Sequence, residues 1–240
     1  MARLLEVCVG DPESLQAAVE GGADRIELCS ALELGGLTPG PGLIARAARV
    51  SVPVYAMVRP RGGDFVFGDG EVAAMLADIA AIRDAGLAGV VLGASLPDGS
   101  LDRETLRVLV EASRGLGKTL HRAFDLVPAV EPAVETAAEL GFERILSSGR
   151  ARTAAEGVAD LRRAHRAAAG RVAIMAGSGV NPDTVGALLD ALPLAEWHGS
   201  CSLPIAMPSP RAVALGFASP GAVKRTSADE VRRMKASLAR

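Results

Sequence analysis

The chain alternates short apolar runs rich in β-branched residues with longer segments in which apolar positions recur at helical spacing. Eight such runs predict strands at residues 4–9, 25–29, 54–58, 89–93, 118–121, 144–147, 172–176 and 195–198. Strands that alternate with helices pair in parallel through right-handed crossovers. Eight units of this kind favour a closed barrel, so we predict an α/β fold of the (β/α)8 TIM-barrel type.

Capping residues and glycines mark where the intervening helices begin and end. Asp11 before Pro12, Asp102, and Asn181 before Pro182 supply capping side chains or first-turn prolines. Segments end in glycine directly before the next apolar run at Gly22, Gly86, Gly115 and Gly141. An open doubly wound sheet is the alternative fold, because eight units fit either arrangement.

The chain changes character after the eighth run. Residues 199–226 are rich in Ser, Pro and Gly and predict an irregular tail, which a last helix at 227–239 follows. We expect one domain over residues 1–240, with 199–240 on or near the barrel mouth. No Gly-x-Gly-x-x-Gly motif follows the first strand, so no nucleotide cofactor is expected.

Composition narrows the classes of function. Net charge is −2, with 26 basic and 28 acidic residues interspersed, which argues against a nucleic-acid partner. Three cysteines do not form a disulfide framework, and no apolar run reaches membrane-spanning length. We therefore expect a cytoplasmic protein with no membrane association.

Polar residues cluster at the predicted strand ends, which a barrel brings together at one mouth. The first two strands repeat one order of residue types, so that Glu6 with Cys8, and Glu27 with Cys29, share a face. The carboxylates are candidates for acid/base chemistry. The alternative is that they pair with Arg25, Arg59 or Arg144 inside the barrel and that the cysteines are small buried apolar residues.

The third strand ends in Met57-Val58-Arg59-Pro60-Arg61-Gly62-Gly63-Asp64-Phe65. Arg59 and Arg61 beside flexible glycine backbone are typical of a site that binds a carboxylate or phosphate. The alternative is a tight turn whose charges pair with each other. Gly177-Ser178-Gly179 after the seventh strand is a second candidate anion-binding turn, or simply a tight turn.

The fifth strand ends in His121-Arg122-Ala123-Phe124-Asp125. His121 and Asp125 are further candidates for acid/base work, because the usual pKa of histidine lies near working pH. Four more polar residues are predicted at the mouth: Asp64, Arg122, His198 and Ser200.

Taken together, these segments resemble the copper homeostasis protein CutC family. The resemblance rests on seven segments in chain order: residues 6–8, 22–29, 35–39, 57–65, 121–125, 144–149 and 198–200. One departure is the seventh-strand turn, Ala-Gly-Ser-Gly, where the family tends to have Pro-Gly-Gly-Gly. The resemblance implies a TIM-like barrel, a cytosolic location, Cu(I) binding and a homo-oligomer, often a dimer.

Two functional hypotheses follow. The resemblance implies copper homeostasis, for which Cys8 and Cys29 are the one pair of soft ligands on neighbouring strands, with Met57 as a third donor. The arginine loop, the histidines and the glycine-rich turn instead favour an enzyme or binding protein for a small anionic substrate, such as a sugar phosphate or hydroxy acid.

Overall fold

The computed structural model describes residues 3–218 and 220–240, and at its centre eight parallel strands form a closed barrel. The strands are β1 (Leu4–Val9), β2 (Arg25–Leu28), β3 (Val54–Met57), β4 (Gly89–Leu92), β5 (Gly117–Leu120), β6 (Arg144–Ser147), β7 (Ala173–Ala176) and β8 (Glu196–Gly199). Each strand pairs with its neighbours in chain order, and β8 returns to pair with β1. The predicted (β/α)8 barrel is confirmed, and the open sheet is excluded.

Helices connect the strands. They are α1 (Pro12–Gly21), α2 (Pro41–Ala47), α3 (Asp69–Asp84), α4 (Arg103–Ala112), α5 (Val130–Glu139), α6 (Val158–Ala168) and α7 (Val185–Ala191), with short 3-10 helices at Leu32–Leu34 and Arg122–Leu126. Within the described residues, no helix combines the length and apolar character needed to cross a bilayer.

The predicted helix starts hold at two of three positions. Asp11 and Asp102 each accept a hydrogen bond from the backbone three residues later, at 2.8 and 3.1 Å. The third is wrong, because α7 begins at Val185 rather than at Asn181. The Asn181 side chain instead accepts from the backbone N–H groups of the next two non-proline residues, which closes a turn before the helix.

The tail is more regular than predicted. It contains β9 (Ser202–Ala206) and β10 (Val223–Thr226), an antiparallel pair, with α8 (Pro210–Ala214) between them. Pro204 argued against a strand in the sequence, because proline has no backbone N–H to donate to a neighbouring strand. A two-stranded sheet tolerates it, because both of its strands are edge strands. The last helix, α9 (Ala228–Leu238), packs against α1, where bare backbone at Gly21 faces Val231.

Alternation along the strands divides the interior into two zones. One set of side chains, including Trp197 and Ile26, forms an apolar layer between strands and helices. The other set points into the barrel, where Tyr55 packs with Cys29, Met57 and Val91. Charged side chains share this inner zone, as the next subsection describes.

Two glycines, Gly89 on β4 and Gly117 on β5, leave room for the Tyr55 ring. A Cβ atom at Gly117 would lie 2.1 Å from the Tyr55 hydroxyl oxygen. Gly117→Ala should therefore lower the free energy of unfolding by about 1–3 kcal/mol through overpacking. Urea denaturation of the variant measures this. Gly186→Ala is the control, since its Cβ meets nothing within 4 Å and should leave stability unchanged or raised. An unchanged midpoint for Gly117→Ala would show that the ring is not fixed there.

Candidate functional site

A layer of opposite charges crosses the lower part of the barrel. Arg25 on β2 donates from Nε to Glu6 on β1 and from Nη2 to Glu196 on β8. Arg144 on β6 donates to the same Glu196 oxygen at 3.0 Å, and its guanidinium lies 4.8 Å from the Tyr55 ring centroid. The β1–β2 register places Glu6 directly opposite Arg25, so strand pairing itself brings the two charges together.

His198 lies directly above this layer. Its Nδ1 is 2.9 Å from Glu6 Oε1, and its Nε2 is 3.7 Å from Glu27 Oε2. Burial by itself would lower the pKa of His198, but Glu27, Cys8 and Glu6 raise it well above its usual value. Burial likewise opposes ionisation of Glu6, yet His198 and Arg25 lower its pKa to about 2. Glu6 is therefore held ionised, and it fixes the orientation of the imidazole ring.

Glu27 differs from Glu6 although the two occupy equivalent positions on neighbouring strands. Burial raises the pKa of Glu27, in spite of the nearby His198. Its Oε1 is buried and has no hydrogen-bond partner among the residues described. Two carboxylates whose environments separate their pKa values in this way, one lowered and one raised, are typical of acid/base sites.

These groups lie under a cavity of about 490 Å³ at the C-terminal ends of the strands. Ten of the residues singled out from the sequence line it: Cys8, Glu27, Met57, Arg59, His121, Arg122, Ser178, Gly179, His198 and Ser200. The barrel therefore brings most of the predicted site residues together around one space.

Arg59 contributes a buried positive charge to the wall of this cavity. Its Nη1 donates to the carbonyl oxygens of Leu34 and Gly36 at 2.9 and 3.1 Å, and its Nη2 donates to that of Gly63 at 2.8 Å. The side chain is 4% exposed, and no carboxylate lies within salt-bridge distance of it in residues 3–218 or 220–240. Burial, with the nearby Arg61, lowers the pKa of Arg59. A buried cation without a counter-charge is expensive unless a ligand supplies one.

The other predicted groups of the arginine loop lie outside the cavity lining. Arg61 pairs with Glu71 and, at 3.0 Å, with Asp64. The Asp64 side chain is 64% exposed. Arg61 and Asp64 therefore match the alternative interpretation of this segment, a tight turn whose charges pair with each other.

Asp125 also lies away from the cavity lining. It accepts hydrogen bonds from the Ser147 hydroxyl at 2.6 Å, from Ser148 and from the Arg150 backbone, and it pairs with Arg122. These contacts hold the loop after β6. Asp125 thus orders the rim rather than facing the space above Glu27.

The turn after β7 is a lining segment with strained backbone. Ser178 and Gly179 have φ values of 72° and 71°, the left-handed region that glycine adopts most readily. The Ser178 hydroxyl donates to the Arg152 carbonyl at 2.7 Å, which helps to hold this conformation. Gly177 lies deeper, where bare backbone contacts Leu146 and His198.

The sequence predicted that the tail lies at or near the mouth, but beyond Ser200 it did not indicate which tail residues line the cavity. Cys201, Ser202, Lys224 and Glu230 all line it. The sequence offers little that would identify these residues, because no hydrophobic periodicity indicates where a segment beyond the eighth strand folds back onto the barrel. Glu196 was missed for another reason. Only the C-terminal end of each predicted strand was searched for site residues, whereas Glu196 lies two residues before His198 on the same inward face of β8.

One group of side chains has the arrangement of a metal site. Ligand atoms of Cys8, Glu27 and His198 all lie within 4.8 Å of one another. Cys29 lies beside them, with its Sγ 3.6 Å from Glu27 Oε2. Burial and the Glu27 carboxylate raise the pKa of the Cys29 thiol well above its usual value. All three cysteines of the chain are free and buried.

Comparison with known proteins agrees with this architecture. The sequence model of the CutC family matches residues 3–203, which covers all eight barrel strands. The chain belongs to the CutC family. The match ends inside β9, so β10 and α9, which contribute Lys224 and Glu230 to the cavity lining, lie beyond the matched residues.

Individual CutC relatives are close in sequence and in structure. A CutC family protein of Rhizobium meliloti is 56% identical over 239 residues, covering 99% of this chain and 97% of the relative. One of Agrobacterium fabrum is 52% identical, covering 98% and 94%. The crystal structure of a Streptococcus agalactiae protein named for copper homeostasis, CutC, superposes with a TM-score of 0.79 at 30% identity, covering 82% of this chain and 98% of that one.

The charge layer of this CutC member can be tested through Glu6. Glu6→Gln should lower the free energy of unfolding at pH 7 by about 3–5 kcal/mol, because it leaves buried positive charge under-compensated. The lowered pKa of Glu6 means that its carboxylate stabilises the fold above its unfolded value of 4.5, and that this contribution is lost as the pH falls towards 2. The difference between wild type and variant should therefore shrink over that range.

Urea denaturation at several pH values measures both effects. Glu135→Gln is the matched control, because Glu135 pairs with Arg171 on the surface and its loss should leave the free energy of unfolding almost unchanged. Equal small losses for the two variants would contradict the role given to Glu6.

Proposed function

We propose that the mouth cavity binds a small anionic substrate and that Glu27 transfers a proton to or from it. The observation that carries this proposal is the buried Arg59 guanidinium, which lines the cavity and has no carboxylate partner within the described residues. A preorganised cation of this kind binds an anion without reorganising its surroundings.

The anion-binding part draws on two further features. Carbonyl oxygens hold both Nη atoms of Arg59, so the side chain pays little conformational entropy when a ligand binds. Across the cavity, Ser178 and Gly179 present left-handed backbone, a conformation common in turns that surround anions.

The proton-transfer part draws on the contrast between the two glutamates. Glu6 is held ionised by Arg25 and His198, whereas burial raises the pKa of Glu27 and leaves one of its oxygens free of partners. Glu27 would take a proton from the substrate, and His198, whose Nε2 is 3.7 Å away, would stabilise the carboxylate form. Glu6 then acts as the positioning residue for the imidazole.

Arg59→Ala should weaken the binding of small carboxylates and phosphates by about 10-fold or more, since hydrogen bonds to charged groups contribute about 1.5–3 kcal/mol. A thermal-shift screen, followed by calorimetry on the hits, measures the loss. Arg107→Ala, on the exposed face of α4, is the control and should bind as wild type does. Equal affinity of the Arg59 variant and wild type would contradict the anion site.

Glu27→Gln separates binding from chemistry. For any ligand found, wild type should catalyse exchange of a carbon-bound proton with deuterated solvent, which proton NMR detects. The variant should bind that ligand within a few-fold of wild type and lose about 100-fold or more of the exchange rate. Exchange that survives the substitution would remove Glu27 from the mechanism.

Copper binding is the second candidate function. The solved Streptococcus agalactiae relative is named for copper homeostasis, and Cys8, Glu27 and His198 converge within 4.8 Å. As cargo, Cu(I) would favour the two thiols of Cys8 and Cys29, with Met57 nearby in the same interior. The buried Cys29 thiol, with its raised pKa, would have to lose a proton against an adjacent carboxylate, which makes this the weaker candidate.

The Cys8→Ser, Cys29→Ser double variant tests the copper hypothesis. It should lose stoichiometric Cu(I) binding in competition with a chromophoric cuprous chelator. His165→Ala, on α6 far from the thiols in sequence, serves as the control. Unchanged affinity of the double variant would overturn thiol ligation. The homodimer and the cytoplasmic location implied by the family resemblance stay predictions, which sedimentation and cell fractionation would test.

A further inference from the structure

Two buried N–H donors in the cavity wall lack partners. They are Nε of Arg59 and Nε2 of His121, and neither has a hydrogen-bond partner among the residues described. The side chains are 4% and 3% exposed, and both line the cavity. A buried donor left unpaired destabilises the free protein. Both side chains lie beside the Phe65 ring, so the two donors point to a ligand that accepts from both.

Three of the five N–H donors of Arg59 are used within the protein, which leaves Nε–H and one N–H of Nη2. Both terminal nitrogens donate to backbone carbonyl oxygens, three of them in all, at 2.8 to 3.1 Å. The guanidinium also lies over the Phe65 ring, 4.7 Å from its centroid. Arg59 is therefore a fixed cation with one positive charge, and its Nε–H has no partner among the residues described.

His121 is a neutral donor. Its Nδ1 accepts from the Ala123 backbone N–H at 3.1 Å, so the proton of the neutral ring is on Nε2. Burial, with the Arg59 guanidinium near it, lowers the pKa of His121 to about 3. Bare backbone at Gly93 contacts one side of the ring, and Phe65 lies 4.7 Å away between centroids. The ring is held in one orientation with Nε2–H free.

We propose that Arg59 Nε and His121 Nε2 together bind one planar, singly charged oxygen group of the substrate, which is therefore a carboxylate. This inference rests on the proposed function and specifies its substrate class. One fixed positive charge and one neutral donor match a monoanion, whereas a phosphate dianion would leave a charge uncompensated on this wall. His121 in this role is an electrophilic donor and not a proton-accepting base.

The first test is spectroscopic and uses the full chain labelled with 15N-histidine. His121 should show a protonated, pyrrole-type Nε2 and a pyridine-type Nδ1 at neutral pH, assigned by its loss in His121→Phe. Lactate and pyruvate, as monoanionic probes, should shift the Nε2 signal saturably, and inorganic phosphate should not. A protonated Nδ1, or a shift with phosphate alone, would overturn the proposal.

The second test is calorimetric. His121→Phe should bind lactate or pyruvate about 10-fold or more weakly, and His121→Gln, which keeps a neutral N–H donor, should recover part of the loss. Thermal unfolding verifies that both variants fold. If Arg59→Ala abolishes binding while both His121 variants bind as wild type, this inference fails and the proposed anion site survives. If wild type binds none of the three probes and no other small anion, both fail.

Discussion

The interaction on which the rest of the site depends is the bridge that Arg25 makes between Glu6 and Glu196 inside the barrel. Buried charge is tolerated only when it is paired and hydrogen-bonded, and here one guanidinium compensates carboxylates from two strands. The bridge keeps Glu6 ionised, and Glu6 in turn fixes His198 through Nδ1. The ion pairs of Arg25 inside the barrel thus determine, through Glu6, how the His198 imidazole is oriented towards Glu27.

The same bridge creates an asymmetry between two carboxylates that the sequence presents as equivalent. Arg25 is committed to Glu6 and Glu196, so Glu27 has His198 as its cationic neighbour and retains an unpaired oxygen. Beyond the ends of β3 and β5, Arg59 and His121 instead carry N–H donors without partners among the described residues. A cavity lined by both an unpaired acceptor and unpaired donors suits a polar, anionic ligand that exchanges a proton. Such a cavity is less suited to a soft metal ion alone.

The barrel and its mouth were predictable from the sequence because they follow from local rules. Period-two alternation places Glu6 with Cys8, and Glu27 with Cys29, on the inner face, and parallel pairing brings strand ends to one side. The tail was not predictable in the same way. β9 and β10 pair with each other across an intervening helix, and Lys224 reaches the cavity through contacts that no local pattern encodes.

The sequence by itself determined the eight-fold alternation, the inner faces and the set of residues that meet at the mouth, since these depend on periodicity and turn chemistry. The tertiary structure decided what each charged group does. Arg59 and Arg61 are two residues apart and chemically identical, yet one is buried against the cavity without a carboxylate and the other pairs with Glu71 and Asp64. The physical reason is that charge state and reactivity depend on desolvation and on partners from distant strands, which the order of residues along the chain does not specify.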